Sequence, residues 1–287
     1  MIIGENRTAV IENIRTNAQN GDFYKKVELN DPVITREQSD EIVKQFLDNR
    51  HTRKFRMKAW MARQIANVFT AVLNRDTEII GLEKAAGNTG GALISSNHFS
   101  PIENTGIRYF TRKLGKKRIN IVSQITNFAM PGIIGYLMNY ADTIPISEDA
   151  HYVQKEFLSV LSELVREGEF VLIYPEQEMW FNYRKPRPAK RGTYYFAARL
   201  NVPVISCFIE MQDLPEMDNE EFHKVKFIVH VLDVLYPDPE KTDRENSIEM
   251  CEKDYALKRA AYEKAYGKPL DYTFESVDIA GWTGELS

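Results

Sequence analysis

The chain reads as an α/β protein with a mostly parallel central sheet flanked by helices and preceded by an N-terminal helical segment. Three observations predict this. Short apolar, β-branched runs alternate with helical patterns between residues 92 and 209, the arrangement that layers helices over a parallel sheet. The runs Ala92–Ser95 and Phe170–Tyr174 do not alternate apolar and polar residues, as expected of strands covered on both faces. Before residue 75 the periodicity is helical throughout.

Residues 1–35 form an irregular or short helical lead-in with a break at Asp31-Pro32. A helical pattern then runs from Thr35 to Asn74, opened by a Thr35 N-cap with Gln38 three positions on. Its second half places Met57, Trp60, Met61, Ile65, Val68 and Phe69 on one broad stripe beside several bases. Such a stripe packs on the protein's own core by default, and with this charge it also suits an interfacial membrane helix. Gly87-x-x-Gly90-Gly91 precedes its strand, so it is a turn and not a dinucleotide loop. Strands are expected at 92–95, 119–123, 143–146, 170–174 and 202–209, with helices at 104–114, 132–139, 152–167 and 193–200. A strand at 226–235 and a helix from Arg244 to Tyr266, stopped by Gly267, complete the pattern. The division is a helical, possibly membrane-associating segment over 1–77 and an α/β domain over 78–287.

Hydrophobic residues make up 43% of the 287, enough for a sizeable core. No apolar run approaches the ~20 residues of a membrane span, and residues 1–7 carry neither a secretion signal nor Gly at position 2. Two cysteines, Cys207 and Cys251, make no disulfide framework and match no metal spacing. A cytoplasmic location is the simplest reading. The net charge of −4 hides an asymmetry, because residues 208–287 hold 19 acids and 9 bases. Three acid-free basic stretches lie earlier, at 50–75, 108–118 and 184–199. They point to a polyanionic partner such as a phosphorylated co-substrate or an anionic membrane surface. Nucleic acid would also fit basic clusters, but the net acidity and the lack of any reader motif argue against it.

The chemistry is concentrated in Ser96-Asn97-His98-Phe99-Ser100-Pro101-Ile102-Glu103. An imidazole at a strand end, with a carboxylate five positions on to fix its tautomer, suits general-base activation of a hydroxyl. Ser100 reads better as a local cap than as a nucleophile. Phe170-Val171-Leu172-Ile173-Tyr174-Pro175-Glu176 repeats the arrangement, and parallel strands would open Glu176 and His98 onto one edge. Glu178 reads as a surface charge. His51, His151, His223 and His230 show no partner pattern and read as surface or packing residues.

His98-x4-Glu103, Tyr174-Pro175-Glu176, Lys190-Arg191-Gly192 and Val202-Pro203-Val204-Ile205 occur in this order. The set resembles the blocks of the glycerophospholipid acyltransferases of the 1-acylglycerol-3-phosphate acyltransferase type. The resemblance spans roughly residues 78–210. It implies that His98 is the general base and Glu103, in place of the usual Asp, its orienting carboxylate. It implies transfer of a fatty acyl group from acyl-CoA or acyl-carrier protein to a hydroxyl of a lipid or glycolipid, with no permanently bound cofactor and no metal. Asn97, Ser100, Tyr174, Pro175 and Glu176 would surround the substrate, together with Lys190, Arg191 and Gly192. In the family a helical pair anchors the enzyme to the membrane, here the inner face as a peripheral protein.

Two motifs depart from the family. Ser147 and Glu148 stand where the second block ends in Arg, and Gln177-Glu178-Met179 replaces Gly-Thr-Arg after Glu176. Arg184, Lys185 and Arg187 offer charge from another angle. A fork-shaped Arg is not replaced by Met or Glu in phosphate recognition, so an acceptor lacking phosphate at that point fits better, with Trp180, Phe181 and Tyr183 packing on it. A catalytically degenerate relative that binds lipid or acyl carrier is the alternative.

Overall fold

The structure is a computed structural model and describes residues 7–29 and 32–284. The expectations for residues 1–6 and for Asp31 lie outside the described residues.

Among the described residues seven strands form one sheet, in the order β1-β7-β6-β2-β5-β3-β4. They are β1 (Glu78–Ile80), β2 (Ala92–Ser95), β3 (Ile119–Gln124), β4 (Thr143–Ile146), β5 (Phe170–Ile173), β6 (Val204–Met217) and β7 (His223–Leu235). Neighbours are parallel except β6 and β7, which pair antiparallel. β2 lies between β5 and β6 with all four residues buried, which is why it reads as an unbroken apolar run. At its entrance a Cβ on Gly91 would come within 2.2 Å of the Val165 carbonyl oxygen, so only glycine lets the chain pass there.

Helices cover both faces. On one, α4 (Leu82–Ala86) and α5 (Asn104–Lys113) cover the sheet, with Ala85, Ile107 and Phe110 packed on Ile94, Leu172 and Ile209. On the other, Phe46 of α2 (Arg36–Asn49) shares a core with Val160 and Leu161, Tyr194 and Met250. The last four come from α8 (Leu158–Arg166), α9 (Gly192–Leu200) and α10 (Asp243–Tyr266). α6 (Gly132–Tyr140) leads into β4, and a π-helical turn over Val153–Phe157 joins α7 (Ala150–Tyr152) to α8.

Before the sheet the structure is more divided than the sequence pattern. The helical pattern over 35–74 is two helices, α2 and α3 (Arg53–Leu73), because Thr52 caps a new start by accepting from the Phe55 N–H. α3 packs inward through Ala59, Ala62 and Thr70. Its large apolar residues Met57, Trp60, Met61, Val68 and Phe69 face outward, so the packed-stripe expectation does not hold for them. The lead-in contains a regular helix, α1 (Arg7–Asn20). α1 does not join α2 and α3. Its Val10, Ile11, Ile14 and Ala18 enter a third core with Trp180, Phe181, Tyr183, Phe222 and Ile279.

The last eighty residues complete the sheet and roof its edge. β6 runs eight residues further than expected, to Met217, and returns as β7. Tyr183 pairs with Ile279 and Phe222 with Trp282 in isolated bridges. α10 has a Thr242–Glu245 capping box and ends at Gly267 in the left-handed conformation.

Candidate active site

The exit of β2 is fixed before any catalytic group is reached. Asn97 is tied to β6, its Oδ1 accepting from the Ile209 N–H at 2.8 Å and from Ser96 Oγ at 3.3 Å and its amide nitrogen donating to the Ile209 carbonyl at 3.0 Å. It is buried there, in an anchoring position at the strand end where the sequence suggested contact with substrate. The turn that follows folds back on itself. Glu103 Oε2 accepts from the N–H groups of Phe99 and Ser100, and Ser100 Oγ accepts from the Ile102 N–H. Ser100, expected against substrate, is buried in that turn.

The other oxygen of Glu103 lies 2.6 Å from His98 Nδ1. A carboxylate only accepts, so Nδ1 carries the hydrogen and Nε2 keeps the lone pair. Glu103 is 1% exposed whereas the His98 side chain is 20% exposed: the orienting group is inside and the imidazole opens outward. The ring stacks on Tyr174 at 4.0 Å between centroids and 9° between planes. Burial, and then the neighbouring Glu103 carboxylate, hold the Tyr174 phenol well above its ordinary range, so it stays protonated.

The backbone of His98 is held from both sides. Its N–H donates to Glu176 Oε2 at 3.2 Å, and its carbonyl accepts from the Trp180 N–H at 3.1 Å and from Arg187 Nη2 at 3.3 Å. Glu176 and Arg187 are themselves paired at 3.0 Å, and Glu176 Oε1 accepts the Arg187 N–H. Arg187 also donates to Phe23 and Glu178 carbonyls and lies over the Trp180 ring. Both side chains are buried. Glu176, expected against the acceptor, therefore faces inward and clamps the histidine. Arg187 is the functional residue the sequence pattern underrated, since Pro186 and Pro188 on either side erase any periodicity.

The remaining charges after β5 divide in two. Arg184 bonds Val277, Met211 and Asp213, and Lys185 bonds Thr273 and Asp278, all in the β6 hairpin and the C-terminal roof. Both cations, expected against substrate, are paired within the chain. Trp180, Phe181 and Tyr183 are core residues for the same reason. Lys190, Arg191 and Gly192 stay exposed at the start of α9. The Lys190 N–H donates to the Pro175 carbonyl at 2.8 Å, which ties these three to the strand end carrying Tyr174. Glu178 accepts from Gln124 at the end of β3. His230, read without a partner, is 2.7 Å from Glu210, a pairing made by β6 and β7 across the sheet and invisible at their sequence separation. No group of His, Cys, Asp and Glu among the described residues could hold a metal ion.

A family model described as Acyltransferase matches residues 51–210, more than half of the chain and the whole of this edge. The chain belongs to the acyltransferase family. A chloroplastic 1-acyl-sn-glycerol-3-phosphate acyltransferase of Brassica napus is 28% identical over 162 residues, 55% of this acyltransferase and 43% of that protein. The match thus spans less than half the length of that relative. The crystal structure of the 1-acyl-sn-glycerophosphate acyltransferase of Thermotoga maritima superposes with a TM-score of 0.52 at 13% identity, covering 82% of this chain and 96% of that one. That likeness is one of fold, and it extends beyond the matched family region.

Proposed function

We propose that this acyltransferase moves a fatty acyl group from an acyl thioester, acyl-CoA or acyl-carrier protein, to a hydroxyl of a lipid or glycolipid acceptor. The carrying observation is the His98–Glu103 pair at 2.6 Å with Nε2 left open. His98 Nε2 takes the proton of the acceptor hydroxyl as its oxygen attacks the thioester carbonyl. The tetrahedral intermediate then expels the thiolate, which leaves with the proton from His98. Glu103 stabilises the imidazolium between the two transfers, and a positioned base of this kind contributes ~10²–10⁴ in rate.

The acceptor we infer carries no phosphate beside the loop after β5. Arg184, Lys185 and Arg187 are buried and paired with the chain's own carbonyls and carboxylates, and a cation already neutralised in this way is poorly placed to hold a second anion. Lys190 and Arg191 remain for the negatively charged part of the thioester donor.

The enzyme meets its acceptor at a membrane surface, on the inner face. No helix among the described residues is long and apolar enough to cross a membrane. The outward ridge of α3 continues through Val72 and Leu73 and is flanked by Ile133 and Ile134 of α6. It ends at Asn74, whose amide donates to Thr105 Oγ1 at 2.9 Å, two residues from Glu103. An apolar ridge rimmed by Arg53, Lys54 and Arg56 suits an anionic bilayer, and it leads to the His98 edge.

Thioester consumption by the purified protein, supplied with acyl-CoA or acyl-carrier protein and with phosphorylated and neutral lipid acceptors, tests this reading. We expect turnover that favours the neutral acceptors and falls at least ~100-fold in His98→Ala. Turnover unchanged in that variant would remove His98 as the base, and none with any donor would leave the binding-only relative as the better account.

A further inference from the structure

A cavity of about 560 Å³ lies under the corner where α2 meets α3. It opens against Asn120, Asp142 and Thr143 at the entering ends of β3 and β4, the opposite edge of the sheet from His98. Along α3 it is separated from the catalytic edge by the fourteen residues from Trp60 to Asn74, about 20 Å of helix. It is therefore not part of the site described above.

Its inner wall is apolar, formed by Phe46, Phe55, Ile144, Val160 and Leu164. Its polar lining has four arginines and three carboxylates. Three of the arginines are balanced. Arg63 grips Asp142 with two bonds of 2.7 Å, Arg50 is 2.6 Å from Glu163, and Arg118 is 3.2 Å from Glu167. Arg56 has no partner among the described residues, and it stands at the mouth with the exposed Met57 and Trp60. That mouth is the near end of the apolar ridge. A space of ligand size with an apolar wall, one surplus positive charge and an opening onto a ridge of large apolar side chains matches a molecule with one negative charge and hydrocarbon chains.

We propose that this cavity binds a monoanionic membrane phospholipid, its phosphodiester on Arg56 and its chain along Phe55 and Val160, as a lipid site separate from catalysis. The proposal rests on the ridge facing a bilayer, as argued under the proposed function. The bound lipid would hold the α2–α3 corner against β4.

The test separates the two readings by using a soluble lipid. Dihexanoyl-phosphatidylglycerol below its micelle concentration is added to the full chain and the melting temperature followed, with dihexanoyl-phosphatidylcholine as control. At about ten times the Kd we expect the phosphatidylglycerol to raise the melting temperature by about 3 °C, and the zwitterionic lipid to leave it unchanged. Arg56→Gln, a surface change, should weaken that lipid about tenfold. Val160→Phe, which fills the wall, should remove the shift while flotation on phosphatidylglycerol vesicles persists. Equal shifts with both lipids, no shift, or a full shift in Arg56→Gln would overturn the proposal even if Val160→Phe fails to fold. A shift in wild type without flotation would instead remove the membrane reading and keep the cavity.

Discussion

Arg53, Lys54 and Arg56 stand on the outer side of α3 without an acidic partner among the described residues, whereas Arg184, Lys185 and Arg187 are buried and paired. Both runs are acid-free in sequence and equally suggestive of an anionic partner. For Arg184 and Lys185 the difference is what arrives later in the chain, whereas Arg187 is met by Glu176, eleven residues before it. Asp213, Thr273, Val277 and Asp278 reach the second run from the β6 hairpin and the C-terminal roof, while among the described residues no acidic side chain pairs with Arg53, Lys54 or Arg56. A basic run thus becomes a binding surface or a structural staple according to the carboxylates and carbonyls that the rest of the fold brings to it.

The sharpest way to break this contrast is Arg187→Met. It leaves Glu176 buried without its cation, and we expect a loss of about 3–5 kcal/mol in urea unfolding. The double change with Glu176→Gln should recover part of that loss. Neutralising Arg53, Lys54 and Arg56 together should leave urea stability nearly unchanged and instead lower partition onto anionic vesicles, by about fivefold per charge in a flotation assay. Vesicle binding unaltered by that change would end the comparison.

A smaller effect concerns pH. Cys251 donates to the Ala189 carbonyl in the buried loop, and burial, followed by Asp254, pushes its thiol from 9.0 up to about 11. The folded chain keeps this proton longer than the unfolded one. The contribution is therefore complete below pH 9 and is lost as the pH rises from about 9 to 11. Urea midpoints at pH 8 and pH 10 should diverge less in Cys251→Ala than in wild type. Smallest is Gln177→Gly. Gln177 has a φ of 66° at the position where the family motif has glycine. Relieving that conformation should add about 0.5–1 kcal/mol in the same urea assay.

The sheet core was legible because strands β2 to β5 are short, apolar and separated by helical patterns. The His98–Glu103 pair was legible because its two members are five residues apart and close through one turn. The rest depended on distance. Nothing within Glu176 or its neighbours signals that a residue eleven positions on will turn back and pair with it. The outer stripe of α3 has the same spacing as a core stripe, and only the small residues Ala59, Ala62 and Thr70 on the other side decide which side is buried. The roof over the site is built from α1 and from residues after 210, regions whose strand and helix signals carry no record of their partner.

That roof also sets an order of assembly. Glu103 can reach His98 as soon as that turn has left the ribosome, and β2 can pair with β5 some eighty residues later. α1, although translated before the sheet, has its apolar side against Phe222 and Ile279, and Phe23, just beyond it, waits for Arg187. A nascent chain therefore carries its His98–Glu103 pair long before the clamp on the histidine backbone is sealed. α1 therefore docks after the sheet that follows it, so ribosome-bound chains should stay sensitive to proteolysis around residues 21–29 until Ile279 has emerged.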